Sequence, residues 1–320
     1  MPPAFDISFC IPTYNFGQYI GETLDSIICQ ADDRVQIVIV DGGSTDDTAS
    51  VVAERSRVFP NIKFIQRQQR SGVDRDILES VAQAEGEYCW LFSSDDVLAP
   101  GAVKYLRAQM SGEWNVLLAD HALCDLQMRR VAKRRIFPLE TTTTFDWSIP
   151  AERLRYLETA RGDSTAFFSF ISAVVVRRAN WAAAGPQTEF VGSCWIIAAQ
   201  IFAMARQRLV VRYCPDELVD VRSGNDSFLS LGMVNRLGLS IDGFRKVAEF
   251  YFGSDSVEAR HVSRILKTEH PLLPLIGRRL RIEDTGERRR FEALMRRQFD
   301  DGSLADTVQR QFGLAPLWVL

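Results

Sequence analysis

The chain is 320 residues long, 46% hydrophobic and 25% charged, so it can bury a large core and is not disordered. A net charge of −3 argues against general attraction to nucleic acid, and no apolar run approaches the ~20 residues that span a bilayer. The N-terminus lacks the basic flank and apolar centre of a secretory leader, so a cytoplasmic protein is expected. Six cysteines stand apart without a CxxC pair, which disfavours structural zinc and a disulfide framework.

Residues 7–11 form a short apolar run that Pro12 should end, and the apolar positions from Phe16 to Ile28 then fall near helical spacing. VQIVIV at 35–40 reads as a strand covered on both faces and ending at Asp41. In the GGSTDDT that follows, Ser44 or Thr45 is placed to cap a helix, and Asp46 and Asp47 to complement its dipole. A third strand is expected at 62–65, a third helix over DRDILESVAQA and a fourth strand at 87–92. This alternation predicts an α/β fold, a mostly parallel, doubly wound sheet with helices on both faces.

Beyond Pro100 the pattern mixes: a helix at 100–110, a strand at 114–119 and a hairpin over 122–137 turning near 127–129. TTTTFDWSIP at 141–150 reads as a low-complexity connection, followed by a strand at 173–177, a helix at 194–207 and a strand at 209–214. Residues 1–228 are expected to form one domain and 229–320 an appended helical segment.

In an open parallel sheet, ligands gather beyond the carboxyl ends of the strands. That rule singles out Pro12, Thr13, Tyr14 and Asn15; Asp41 with Gly42; RSGVDRD at 70–76; and SSDD at 93–96. Asp95 and Asp96 are adjacent like charges that would gain from a shared cation; the alternative is a solvated turn capping the next helix. The basic runs at 129–135, 277–282 and 287–297 either face an anionic surface or are solvated helix and hairpin faces. There is no histidine pair at metal-ligand spacing, no Walker loop, no GxGxxG and no Ser-His-Asp pattern.

IPTYN at 11–15, VDGGSTDDT at 40–48 and AEGEYCWLFSSDDVLAP at 84–100, in that order and spacing, resemble the family 2 glycosyltransferases of the GT-A fold. The resemblance implies a glycosyltransferase of hexosyl type using a nucleoside-diphosphate sugar, with residues 1–100 holding the nucleotide and 101–228 facing the acceptor. It places the nucleotide at Thr13, Tyr14 and Asp41, Tyr14 packing on the base. The family's metal motif carries an acid where Ser93 stands here; Ser94 takes the variable position, and Asp95 and Asp96 the last two. Asp95 is therefore expected to ligate Mg²⁺ or Mn²⁺ at the donor diphosphate, with Asp96 supporting that cage or the sugar hydroxyls.

A narrower similarity, over 72–96 and 219–228, is to the abequosyltransferase-like branch, which adds a deoxy sugar in bacterial O-antigen assembly. It implies Asp74 and Arg75 at the nucleotide or its phosphates, a surface ion-pair role being the alternative. It also implies Arg222, Asn225, Asp226 and Ser227 on a loop able to close over the diphosphate, where the alternative is a Gly-Asn turn ending a strand. In the wider family the catalytic base is the Asp of a Glu-Asp pair opening a helix, and here Ser193 and Cys194 occupy those places. Glu189 is the nearest carboxylate, and Asp120 with His121 is the second option. The acceptor is expected to be a lipid-linked surface-glycan precursor. The basic C-terminal helices, with Trp318, would then rest on the inner membrane face or serve a homodimer interface. A non-catalytic sugar-nucleotide-binding scaffold and a sugar nucleotidyltransferase are the rival readings.

Overall fold

The computed structural model describes residues 4–160, 162–225 and 232–299, together with Thr307, Gln311, Gly313 and Leu314. By its contacts the chain divides into two units, Met1–Tyr156 with Thr165–Asn225, and Leu157–Ser164 with Asp226–Leu320.

The first unit begins with the alternation the sequence announces: β1 (Ile7–Thr13), α1 (Gly17–Ile28), β2 (Val35–Asp41), α2 (Thr48–Val58), β3 (Ile62–Gln66), α3 (Val73–Ala82) and β4 (Tyr88–Leu91). These four strands are parallel neighbours in the order β3-β2-β1-β4. Every residue of β1 and β2 is buried, which explains runs of apolar residues where a half-exposed strand would alternate. Pro12 does not end β1. Cys10 O accepts from Phe92 N and Thr13 O from Gly42 N, so alternate residues face β4 and β2. Pro12 faces the β4 side, beyond the last pair Cys10↔Leu91, where its missing N–H costs no ladder bond.

The sheet continues through β5 (Val97–Leu98), α4 (Ala102–Gln109), β6 (Val116–Cys124), β7 (Arg130–Arg134), β8 (Thr143–Asp146), α5 (Pro150–Thr159), β9 (Val174–Arg177), α6 (Arg178–Ala183), α7 (Ile196–Met204) and β10 (Val210–Arg222). Its full order is β3-β2-β1-β4-β9-β6-β10-β5, with β7 on β6 and β8 on β10. β9 runs antiparallel between β4 and β6, so the two expected halves share one sheet. Three expectations change here. β6 runs on to Cys124, β10 runs on to Arg222 through register shifts between Cys214 and Val219, and the supposed connection contributes β8. Pro215 interrupts the apolar alternation at that irregularity, which is why the sequence shows only the first half of β10.

Phe9 stacks on Trp90 at 5.3 Å between centroids, and both belong to the buried cluster that joins α1, β2 and α4 to the sheet. The second unit holds α8 (Met233–Gly238), α9 (Phe244–Phe252), α10 (Val257–Glu269), α11 (Leu272–Leu280) and α12 (Thr285–Gln298). Its own core gathers Val234, Leu237, Leu275, Phe291 and Leu294. Ser256 and Asp284 cap α10 and α12 by accepting from Ala259 N and Glu287 N. No described helix is long and apolar enough to cross a membrane.

Candidate active site

Thr13 and Asp41 stand opposite one another at the ends of β1 and β2. Asp41 is fully buried, and its Oδ1 accepts from Ser44 N at 2.9 Å and Ser44 Oγ at 2.6 Å. Asp41 Oδ2 and Thr13 Oγ1 are buried without a hydrogen-bond partner. Buried polar atoms are normally paired, so an orphaned acceptor at a strand end marks a place for a ligand donor. Asn15, at φ 55°, ties the two loops together: its Oδ1 accepts from Thr45 N, and its N–H donates to Ser44 Oγ, both at 2.8 Å. Ser44 and Thr45 are thus spent on this corner and do not cap α2, whose N-cap is Asp47. Asp46 accepts from Gly17 N at the start of α1. Tyr14 is half-buried, with the Arg70 guanidinium 4.5 Å over its ring.

Asp74 and Arg75 part company in the first turn of α3. Asp74 is buried, and its Oδ2 accepts from Gly192 N at 2.7 Å and Cys194 N at 2.9 Å, securing the turn that leads into α7. Burial pushes its carboxyl up, opposed by those amides. Its Oδ1 is buried without a hydrogen-bond partner. Arg75 is exposed, and its position at the strand-end rim is compatible with the phosphate role.

At the end of β4, Ser93 Oγ and the Asn225 side-chain amide donate to the two oxygens of Asp95. Ser94 is buried beside it. Asp96 turns inward: its Oδ2 accepts from Ser172 Oγ at 2.6 Å and its Oδ1 from Arg222 N at 3.1 Å. Burial pushes the Asp96 carboxyl well up, and the neighbouring Asp95 charge adds to it. Asp96 is thus held against the corner by the chain's own donors. Ser172 also accepts from Ser93 N at 2.9 Å, and its carbonyl accepts from Trp90 Nε1 at 2.9 Å.

Arg222 is not on a closing loop. It is the last residue of β10, and its buried guanidinium donates to Asp95 O (3.0 Å), Leu126 O (2.6 Å) and Glu22 (2.5 Å). It also stacks 4.7 Å over Tyr19. These bonds fix the turn after β4. Asp226, Ser227 and Trp318 lie outside the described residues.

Because β6 extends to Cys124, Asp120 and His121 sit inside a strand and do not follow one. Asp120 is fully buried, and its oxygens accept from Ile136 N and Tyr213 Oη, both at 2.9 Å. Burial pushes its pKa up to about 6. Buried His121 packs on Phe170, centroids 4.8 Å apart. Glu189, in the short turn before α7, is exposed. The sequence reading missed Ser172 and Glu22, whereas Arg70 lies in the 70–76 loop it singled out. Ser172 carries no local signal, because its role depends on β9 pairing beside β4; Arg70 was visible as a cation in the loop after β3.

Among the described residues no three His, Cys, Asp or Glu side chains cluster to hold a metal unaided. Asp95 is nonetheless suited to one: a carboxylate that keeps 9% exposure, flanked by the Ser93 hydroxyl and the Asn225 amide. One carboxylate with neutral oxygens fits a hard cation that retains water and completes its shell with substrate phosphate.

A mostly parallel sheet with an orphaned acceptor at one strand end and an acidic turn at another is the arrangement expected of a GT-A-type glycosyltransferase. Residues 8–178 match the model of glycosyl transferase family 2, and the chain belongs to that family. Among curated proteins it is 28% identical over 277 residues to abequosyltransferase RfbV of Salmonella typhimurium, covering 83% of this chain and 81% of that one. Residues 1–349 of S. aureus TarS, in complex with UDP-GlcNAc, superpose with a TM-score of 0.66 at 19% identity, covering 92% of this chain and 81% of that one. The mannosyltransferase PcManGT of Pyrobaculum calidifontis, in complex with GDP-Man and Mn²⁺, superposes with a TM-score of 0.53 at 16% identity, covering 98% and 80%. The expected family, its abequosyltransferase-like branch and the GT-A fold are met by these comparisons.

Proposed function

We propose that the protein transfers a sugar, in the branch's manner a deoxy sugar, from a nucleoside diphosphate to a lipid-linked precursor of a bacterial surface glycan. The observation that carries this reading is the pairing of an orphaned, buried Asp41 Oδ2 with a prepositioned Asp95 at strand ends of one sheet. Asp41, Thr13 and Tyr14 would hold the nucleoside, and Arg75 its phosphates. Asp95 would hold Mg²⁺ or Mn²⁺, whose chemistry is to neutralise the departing diphosphate. TarS and PcManGT, with their sugar-nucleotide complexes, support a donor of this class.

The acceptor hydroxyl must lose a proton. Of the groups weighed for that step, Asp120 and His121 are enclosed in β6 and Glu189 faces solvent; Glu189→Gln should lower kcat with KM unchanged, and an unaltered kcat removes it. On α11, Leu273 and Leu280 are exposed seven positions apart on one face, with exposed Arg278 and Arg281 in and just beyond the last turn, a combination suited to an anionic cytoplasmic leaflet. Flotation with anionic vesicles, lost in Leu273→Ser/Leu280→Ser, tests that contact. The test of the whole reading is diphosphate release from a panel of nucleotide sugars with Mg²⁺ and a lipid-linked acceptor extract. Release that needs acceptor supports it, and no release from any donor overturns it.

A further inference from the structure

The first turn of α3 carries two buried carboxyls, Asp74 and Asp76, that leave the helix on opposite sides, since residues two apart on an α-helix are turned by roughly 200°. Asp76 leans toward the strand ends: a Cβ at Gly42 would fall 2.7 Å from its Oδ2, and its Oδ1 accepts from Ser71 Oγ at 2.5 Å. Asp74 faces the other way, into the turn before α7, where one oxygen takes the amides of both Gly192 and Cys194. The helix thus touches the nucleotide corner with one side of its first turn and residues 192–194 with the other.

That second turn depends on its partner. Amides two residues apart converge on one oxygen where the backbone visits the left-handed region, and Gly192 (φ 90°) and Cys194 (φ 65°) both do so. For Cys194, which has a Cβ, this conformation is costly, and the bonds to Asp74 offset the cost. Further anchors precede it. Ser193 N and Oγ donate to Phe190 O at 3.1 and 2.6 Å, Phe190 is buried, and Gln187 N donates to Gln200 Oε1 at 3.3 Å. Exposed Glu189 rides between Gln187 and Phe190, so its direction follows from how this segment is pinned.

We propose that Asp74 is a positioning residue for the acceptor side: by holding Gly192 and Cys194 it fixes the direction in which Glu189 meets the acceptor hydroxyl. The inference rests on the proton-accepting role given above to Glu189. Asp74 touches no reacting atom in this scheme, so its loss is felt through Glu189. A misdirected carboxylate slows proton transfer without altering how the donor is held.

Diphosphate release from the donor that the wild type uses, with Mg²⁺ and the lipid-linked acceptor extract, tests it in Asp74→Ala, Asp74→Asn, Glu189→Gln and the double variant Asp74→Ala/Glu189→Gln. Asp74→Ala should lower kcat about 10–100-fold with the donor KM within about threefold of normal. Asp74→Asn, whose Oδ1 can still accept from both amides, should keep kcat within about threefold of the wild type. The double variant should be no slower than Glu189→Gln alone, because both losses pass through one group. Losses that multiply, a donor KM that rises as kcat falls, an impaired Asp74→Asn or an undisturbed Asp74→Ala would each overturn the inference. An unaltered kcat in Glu189→Gln overturns it together with that residue's role, leaving the nucleotide-sugar reading intact; no release by the wild type from any donor overturns both. Should Asp74→Ala fail to fold, Gly192→Ala takes its place. An added Cβ there meets nothing within 4 Å, so the change strains the turn at its positive φ without a clash. It should lower kcat and add nothing to Glu189→Gln; a normal kcat or multiplied losses overturn the inference.

Discussion

Two corners of one sheet are acidic, and they differ in what they leave unpaired. Around Asp95 and Asp96 the four carboxylate oxygens take donors from Ser93, Asn225, Ser172 and the Arg222 amide, and the Arg222 guanidinium fixes the Asp95 carbonyl. Around Asp41, one carboxylate oxygen and the Thr13 hydroxyl have no partner. The first corner satisfies its carboxylate oxygens from within the chain; the second leaves two buried polar atoms unpaired, as a site awaiting a ligand's donors would. The contacts that close the first are also distant in the chain: Asp96 and Ser172 lie 76 positions apart, and Asp95 and Asn225 lie 130 apart.

If that contrast holds, substitutions at the closed corner should damage both geometry and catalysis, in a graded order. Asp95→Asn removes the charge and keeps the shape; transfer should fall about 10²–10³-fold with an unchanged thermal midpoint, read by steady-state kinetics. A variant of near-normal activity would strip Asp95 of its role. Arg222→Met leaves the Asp95 and Leu126 carbonyls without donors, at roughly 2–4 kcal/mol for the two. The half-exposed Glu22 partner adds little. Denaturant melts should show that loss, together with a kcat about 10–100-fold lower as the turn shifts. Ser172→Ala removes one donor from Asp96 and the acceptor of Ser93 N, costing roughly 1–3 kcal/mol with a smaller drop in kcat. Wild-type stability and rate in Ser172→Ala would show that the corner does not depend on being closed.

The same contrast explains what the sequence discloses. β1, β2 and β3 pair with their chain neighbours, and the apolar runs of β1 to β4, the GGSTDDT turn and the acids beyond Phe92 are local patterns; the strands, Asp41 and Asp95 are legible for that reason, although β4 joins β1 from across the chain. Which of the two acids stays available is not. Asp96 turns inward because β9 brings Ser172 and β10 brings the Arg222 amide, and both depend on strand pairings that no short window encodes. Asp120 misled for a related cause. Glu and Asp read as strand ends, yet here the strand passes through Asp120 because Tyr213 from β10 and Ile136 N satisfy its oxygens, a tertiary override of local preference.

Asp120 gives the smallest expected effect and the sharpest control, as a carboxyl closed by neutral donors like the Asp96 corner but placed within a strand. Its folded pKa of about 6 lies above the ~3.9 of an unfolded Asp, so the folded state binds the proton more tightly. Its stabilising contribution is full below about pH 4 and is lost as pH rises through about 6, a swing on the order of 2–3 kcal/mol. Asp120→Asn is neutral throughout; its Oδ1 can still accept from Ile136 N, and its Nδ2 can donate to Tyr213. Urea melts should therefore show the variant gaining on the wild type between pH 4 and pH 8, with transfer activity within about threefold of normal. A flat stability difference across that range would deny the raised pKa. A loss of about 10³-fold in kcat at unchanged stability would instead make Asp120 the proton acceptor, and the distinction between a closed corner and a working one would have to be redrawn around β6.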